Sequence, residues 1–181
     1  RLKDSANDKE IRAFLTKSAE TEKANPDYYA TAGNYWWQLS QSVSITTKPT
    51  EGADLSVRDQ KSGKEVGSIS TLGQTNPEIP KRALNILSEG ARRFPERADI
   101  ALGLAHVQQK MGSQSECVQA LLKLLAFARK NPELLRWKKN DRLPAEANKF
   151  IPEAIQGYSA GLYQSGSAES DALCASLCDA T

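Results

Sequence analysis

The stretch from Phe94 to Gly112, FPERADIALGLAHVQQKMG, constrains the fold more than any other part of this chain. A Pro stands near its start and a Gly at its end, the asymmetry expected of helix termini. Between them Ile100, Leu104 and Val107 recur at spacings of four and three, with Ala101 and Ala105 beside them. That pattern predicts a helix of about four turns with one apolar stripe. Small residues on the stripe let a neighbouring backbone approach closely, so the helix is expected to sit between two others. Both flanks supply a partner: Ala83, Leu84, Leu87 and Ala91 before it, Cys117, Val118, Leu121 and Leu125 after it.

The rest of the chain is long enough to complete that core. Its 181 residues predict one domain, 1–181, carrying an insertion. With 39% apolar and 25% charged residues and a net charge of +2, nothing favours nucleic acid or an anionic membrane as partner. No apolar run approaches the roughly 18 residues of a membrane span. Three cysteines, an odd and sparse set, do not form a disulfide framework, which leans towards a cytoplasmic setting. The chain opens on Arg1 rather than Met, so an exported protein with its signal segment removed stays open, as does the oligomeric state.

Taken in order, Ile11, Phe14 and Leu15 trace a helix face over 5–23, and Asn25-Pro26-Asp27 ends one helix and starts the next. Residues 28–41 form that next helix, where Gly33 implies close packing. From Val43 the alternation of SVSITT, then LSVRD at 55–59 and EVGSIS at 65–70, reads as strands. The loop 60–64 turns the chain at Gly63, and Gly67-Ser68 marks a bulge. An antiparallel β-hairpin or three-stranded meander is thus expected at 43–70, within an insertion spanning about 43–72. Helical patterns return at 79–94. Another helix begins at Ser113, where Glu116 completes a capping box, and ends at Asn131-Pro132. Residues 133–139 suggest a turn or two of helix. A C-terminal capping region follows at about 145–178, with Pro152 kinking or starting a helix over 145–164 and a short helix at 169–178.

Pro95 and Pro132 are 37 residues apart, close to a helical-hairpin repeat. Pro26 precedes Pro95 by 69, about two such periods, with strand-like residues in the middle. Ala83, Leu87, Gly90 and Pro95, then Leu104, Ala105 and Gly112, then Ala120, Leu124 and Pro132, resemble the second- and first-helix patterns of the tetratricopeptide repeat family. The early Trp or Tyr of its first helix is missing at Ala101. The resemblance covers 79–132 well and 11–41 loosely. It implies a mainly α fold of stacked antiparallel helical hairpins, an α-solenoid with the β insertion inside one hairpin. It also implies a concave groove that binds a peptide or partner protein. One subgroup of the family grips a C-terminal carboxylate with Lys and Asn; here the corresponding positions hold Trp37 and His106, so that clamp is not expected.

No catalytic or metal constellation stands out in a chain with one histidine. Cys174 and Cys178 share a helix face but lack a second pair of donors, and Cys117 reads as a small core hydrophobe. There is no phosphate loop, nucleophile elbow or HExxH motif. The expectation is a non-enzyme without cofactor or metal. Basic residues between Arg129 and Lys149, with Trp137 among them, are interrupted by Glu133, Asp141 and Glu146 and read as a solvated face. For partner binding, Trp37 and His106 each lie eleven residues past a Pro, on one side of the stack if the helices run in register. Asp99, Leu102, Gln109 and Lys110 join them, while burial of both Trp36 and Trp37 by the insertion is the competing reading. The alternative function is a structural or assembly subunit acting through edge pairing of the β insertion.

Overall fold

The computed structural model describes residues 5–49, 51, 53–138, 141–143, 146–164 and 167–180. Asn25 opens the first well-packed helix. Its side chain accepts the Asp27 N–H at 3.0 Å, and Pro26 follows where no amide hydrogen is needed. This helix, α2 (Pro26–Ser40), follows α1 (Ser5–Thr21) and precedes a small sheet of β1 (Val43–Thr46), β2 (Leu55–Arg58) and β3 (Glu65–Thr71). A single turn, α3 (Leu72–Thr75), leads into α4 (Glu78–Arg93), α5 (Ala98–Lys110) and α6 (Gln114–Lys130). After a 3-10 turn at Pro132–Leu134 come α7 (Ala147–Tyr163) and α8 (Ala168–Ala180). The protein is mainly helical with a three-stranded antiparallel sheet.

From α4 onward, successive long helices pack on one another, and α2 packs along α4 across the inserted sheet. Three apolar clusters result among the described residues; Trp36, Leu39, Ile79 and Ala83 form one between α2 and α4, and α5 belongs to the other two. Its Ile100, Leu104 and Val107 join Tyr29 and Leu87 on one side. Ala98 and Ala105 join Leu121, Ile151, Ile155 and Leu177 on the other. Placing this helix between partners is therefore what its stripe and its small residues achieve. The tightest approaches are glycines. A Cβ on Gly33 would stand 2.5 Å from Leu87 Cγ, and one on Gly90 would stand 2.6 Å from Tyr29 Cβ.

The sheet departs from a sequential meander. Its order is β1-β3-β2, so the longest strand lies in the middle and β1 never touches β2. The reason is the connections. Only β2 and β3 are joined by a tight turn, in which Asp59 accepts the N–H groups of Lys61 and Ser62 and Gly63 takes φ 67°. β1 reaches β2 by a longer passage over residues 47–54, whose Lys48 carbonyl accepts the Ser68 and Thr46 hydroxyls on one sheet face. The bulge sits one residue before Gly67: Val57 pairs Gly67 but Arg58 pairs Glu65, leaving Val66 unopposed.

Other boundaries shift for local reasons. Pro95 lies in the turn before α5, not at its first position, because Arg97 stays extended and forms a bridge to Arg136. Ser113 precedes α6 but makes no side-chain cap bond, so the expected capping box does not form. The segment after Pro132 is one 3-10 turn rather than α-helix: the Arg136 N–H bonds Glu96 O and Ala98 N–H bonds Arg136 O, which holds it extended beside Arg97. Pro152 lies inside α7 rather than at its start. Asn140, Pro144 and Ala145, expected breakers or helix starts, lie outside the described residues.

Candidate functional site

Helix α5 has two outward faces, and His106, expected to bind a partner together with Trp37 of α2, lies on one of them. Trp36 is buried, with the Arg82 guanidinium 4.4 Å from its ring centre, and Trp37, one residue on, is half-buried. The 100° step between neighbours keeps them apart. Trp37 meets His106 edge to face with ring centres 5.9 Å apart, so the two helices do bring these residues to one side. Burial lowers the His106 pKa, and Lys110 beside it adds to the shift.

The remaining four positions diverge. Lys110 is exposed. The Leu102 carbonyl accepts the Tyr158 hydroxyl at 2.9 Å, and a Cβ on Gly161 would meet Gln109 Nε2 at 2.8 Å, so both residues face α7. Asp99 is bound by Arg97, whose Nε and Nη2 reach its two carboxylate oxygens at 2.8 and 2.9 Å. Arg97 Nη1 lies 2.8 Å from Asp27 Oδ1, and its side chain is 0% exposed. A fork donor filling both oxygens of one carboxylate is the geometry that makes such a burial tolerable. Sequence reasoning missed Arg97, although an Arg two residues before an Asp at a helix start is a detectable signal.

On the opposite side of α5, about 170° around the helix from His106, a cleft of about 480 Å³ runs between α4 and α6. Ala101 and Leu104 of α5, Ala91 of α4, and Ala120 and Leu124 of α6 supply its apolar lining. Gln108, Gln119 and Lys123 are among its polar groups. The Gln108 amide oxygen is buried there with no hydrogen-bond partner among the described residues. The arrangement offers an apolar floor and a rim that is polar and charged, with Arg92, Glu116 and Lys123 in it.

The other candidates are structural. Trp137 packs edge to face on Phe150 at 5.3 Å, and Arg136 Nη1 donates to the carbonyls of Glu133 and Leu135. Neither group stands free for a phosphate, and Lys139 of the same basic run lies outside the described residues. Cys117 is buried and its thiol is pushed up to about 11, mainly by desolvation. Cys174 donates to Ser159 O, while Cys178 is exposed. Among the described residues, no group of three or more His, Cys, Asp or Glu side chains is placed to hold a metal, and no helix is long and apolar enough to cross a membrane. Compared with family models, curated proteins and solved structures, the chain matches none.

Proposed function

We propose that this protein is a non-enzymatic interaction module, a tetratricopeptide-like stack of helical hairpins that binds a peptide or partner-protein segment in the cleft between α4 and α6. The single observation that carries the reading is the apolar cleft between α4 and α6, with Gln108, whose amide oxygen is buried without a partner, in its lining. Rotation of that side chain towards the cleft would let a peptide N–H supply the missing donor and remove a desolvation cost of about 1–3 kcal/mol. The repeat-like pairing of α2 with α4 and of α5 with α6, with α5 as common floor, supports the solenoid part of the reading.

The reading moves the binding surface across α5 from the Trp37–His106 side. On that side Asp99, Leu102 and Gln109 are engaged by Arg97 and α7, which leaves fewer groups for a partner. Edge pairing of the insertion, the alternative, has only four-residue edges to offer in β1 and β2, and edges that short are poor templates.

A photo-crosslinking amino acid placed at Gln119, on the cleft, or at Lys110, on the opposite side, tests the assignment. Adducts to a partner from position 119 that vanish on Lys123→Glu support the cleft. Adducts from position 110 alone overturn it, and the absence of adducts at either position counts against an interaction module.

A further inference from the structure

The β insertion is inside out. Along its strands Val43 and Ile45, Leu55 and Val57, and Ile69 fall on one face, and the register sets Ile45 and Leu55 on either side of Ile69. Ser44, Thr46, Ser56, Ser68 and Ser70 fall on the other. A half-buried sheet ordinarily turns its apolar face inward. Here Val43, Ile45 and Leu55 are 63%, 67% and 62% exposed, while Ser68 and Ser70 are 0% and 2% exposed. Lys48, just past β1, accounts for part of it, because its carbonyl sits on the hydroxyl face and takes the Ser68 hydroxyl. Asp54, at the far end of the passage from β1 to β2, takes the Thr71 N–H and hydroxyl at the end of the aliphatic face nearest the helices. On the polar face Ser68 and Ser70 are covered while Ser56 stays exposed, and the aliphatic side chains of Val43, Ile45 and Leu55 are left open.

We infer that this open face is a second docking surface, separate from the cleft, and that its occupant is one short amphipathic helix with an apolar stripe and acidic residues. Size decides against a second copy of the chain. Taking about 100 Å² for a freely exposed aliphatic side chain, the face presents roughly 250 Å² of apolar surface, whereas a stable dimer buries about 800 Å² on each partner. One helix fits. Three strands about 4.8 Å apart and four residues long make a face about 10 Å by 13 Å, the width of one helix and the length of about nine helical residues.

Charge selects the acidic partner. The end of the sheet farthest from the helices holds Lys48, Arg58, Lys61 and Lys64 against Asp59 and Glu65. Both carboxylates are held by neutral donors and keep their charge: Asp59 accepts two N–H groups and the Ser62 hydroxyl, and Glu65 accepts the Ser56 hydroxyl, so this end carries four cations against two anions. None of the four cations has an ion-pair partner among the described residues. A helix lying along the strands therefore meets a rim of net positive charge, four cations against two carboxylates.

Three fluorescent peptides of about 12 residues test this on the intact chain. One carries Leu at positions i, i+3, i+4 and i+7 with Glu elsewhere, the second has Lys for Glu, and the third has the acidic composition scrambled. The acidic stripe peptide is expected to bind with a dissociation constant of about 10–100 μM, to weaken with salt, and to shift the methyl resonances of Ile45, Leu55 and Ile69. The exposed double variant Ile45→Ser, Leu55→Ser should weaken it about tenfold while its circular dichroism stays unchanged. Equal binding of the Lys or scrambled peptide, or resonance shifts confined to α4–α6, overturns the inference. Sedimentation showing a dimer that the same double variant dissociates also overturns it, in favour of a second copy. Crosslinking at Gln119 is unaffected by these variants, so the two sites fail or stand separately.

Discussion

Two glycines show how narrowly single atoms are accommodated. Gly90 lies in α4, where alanine would be the better helix former by about 1 kcal/mol. Its missing Cβ is nevertheless where Tyr29 and Ile100 meet the helix. Gly90→Ala is expected to destabilise by about 1–3 kcal/mol in urea unfolding. Gly157→Ala in α7, with nothing within 4 Å of the added carbon, should stabilise by about 0.5–1 kcal/mol. His106 offers a second test, made simple because it is the one histidine in the chain. Burial against Trp37, then Lys110, holds its pKa below 6.5. The unfolded chain therefore takes up the proton first, so this contribution to stability is fully present above pH 6.5 and is lost as pH falls through the folded-state value. An imidazole titration followed by NMR should give a midpoint below 6.5. Lys110→Gln should raise it slightly, and Trp37→Ala should raise it further, because desolvation is the larger cause.

At the scale of elements, Arg97 ties three pieces together. Its guanidinium joins the first turn of α2, through Asp27, to the first turn of α5, through Asp99. Its backbone pairs with Arg136 beyond α6. Arg97→Ala leaves the nearly buried Asp99 carboxylate without a counter-charge and is expected to cost about 3–5 kcal/mol. Adding Asp99→Leu should restore part of that loss, since no unpaired charge then remains. Thermal unfolding of the two variants side by side checks the expectation, and equal losses would show that the stranded Asp99 carboxylate is not what costs the single variant its stability. Thiol reactivity separates the C-terminal helix from the core. Cys178 on α8 should modify readily at pH 8, while Cys117, buried and pushed up to about 11, should react only as the protein unfolds.

The whole molecule is a helical body with a sheet inserted into it, and the join between them is narrow. Ser42 O accepts the Leu72 N–H at 2.8 Å, so the two ends of the insertion already meet. Excising residues 43–71 and linking Ser42 to Leu72 through two glycines should leave the helical circular dichroism of the body intact. The midpoint of unfolding should fall by no more than about 5 °C. A collapse of helicity would show that α2 and α4 need the sheet to find one another. Partner crosslinking at Gln119 should survive the excision, and binding of the acidic peptide should not.

Periodicity carried the elements. The stripe of Ile100, Leu104 and Val107, the alternation around Val43 and the Asp59–Gly63 turn are local properties of the backbone, and each element formed where its pattern lies. The doubled Trp36-Trp37 was legible only in part: the helical step separates the two indoles, but whether the insertion buried both was decided by the fold, which leaves Trp37 half-buried. What the local pattern does not contain is the identity of the neighbour. Alternation in β1, β2 and β3 divides each strand into two faces but does not say which face is covered. That depended on Lys48, whose carbonyl takes the Ser68 and Thr46 hydroxyls, and on β3 taking the centre of the sheet. The Pro132 region reads as helix until Glu96 and Arg97 pair with it and draw it out straight. Likewise the cleft exists only because α4 and α6 part over α5. Propensity acts over a few residues, whereas burial is decided by whatever the fold brings against a surface, and that is a property of three dimensions alone.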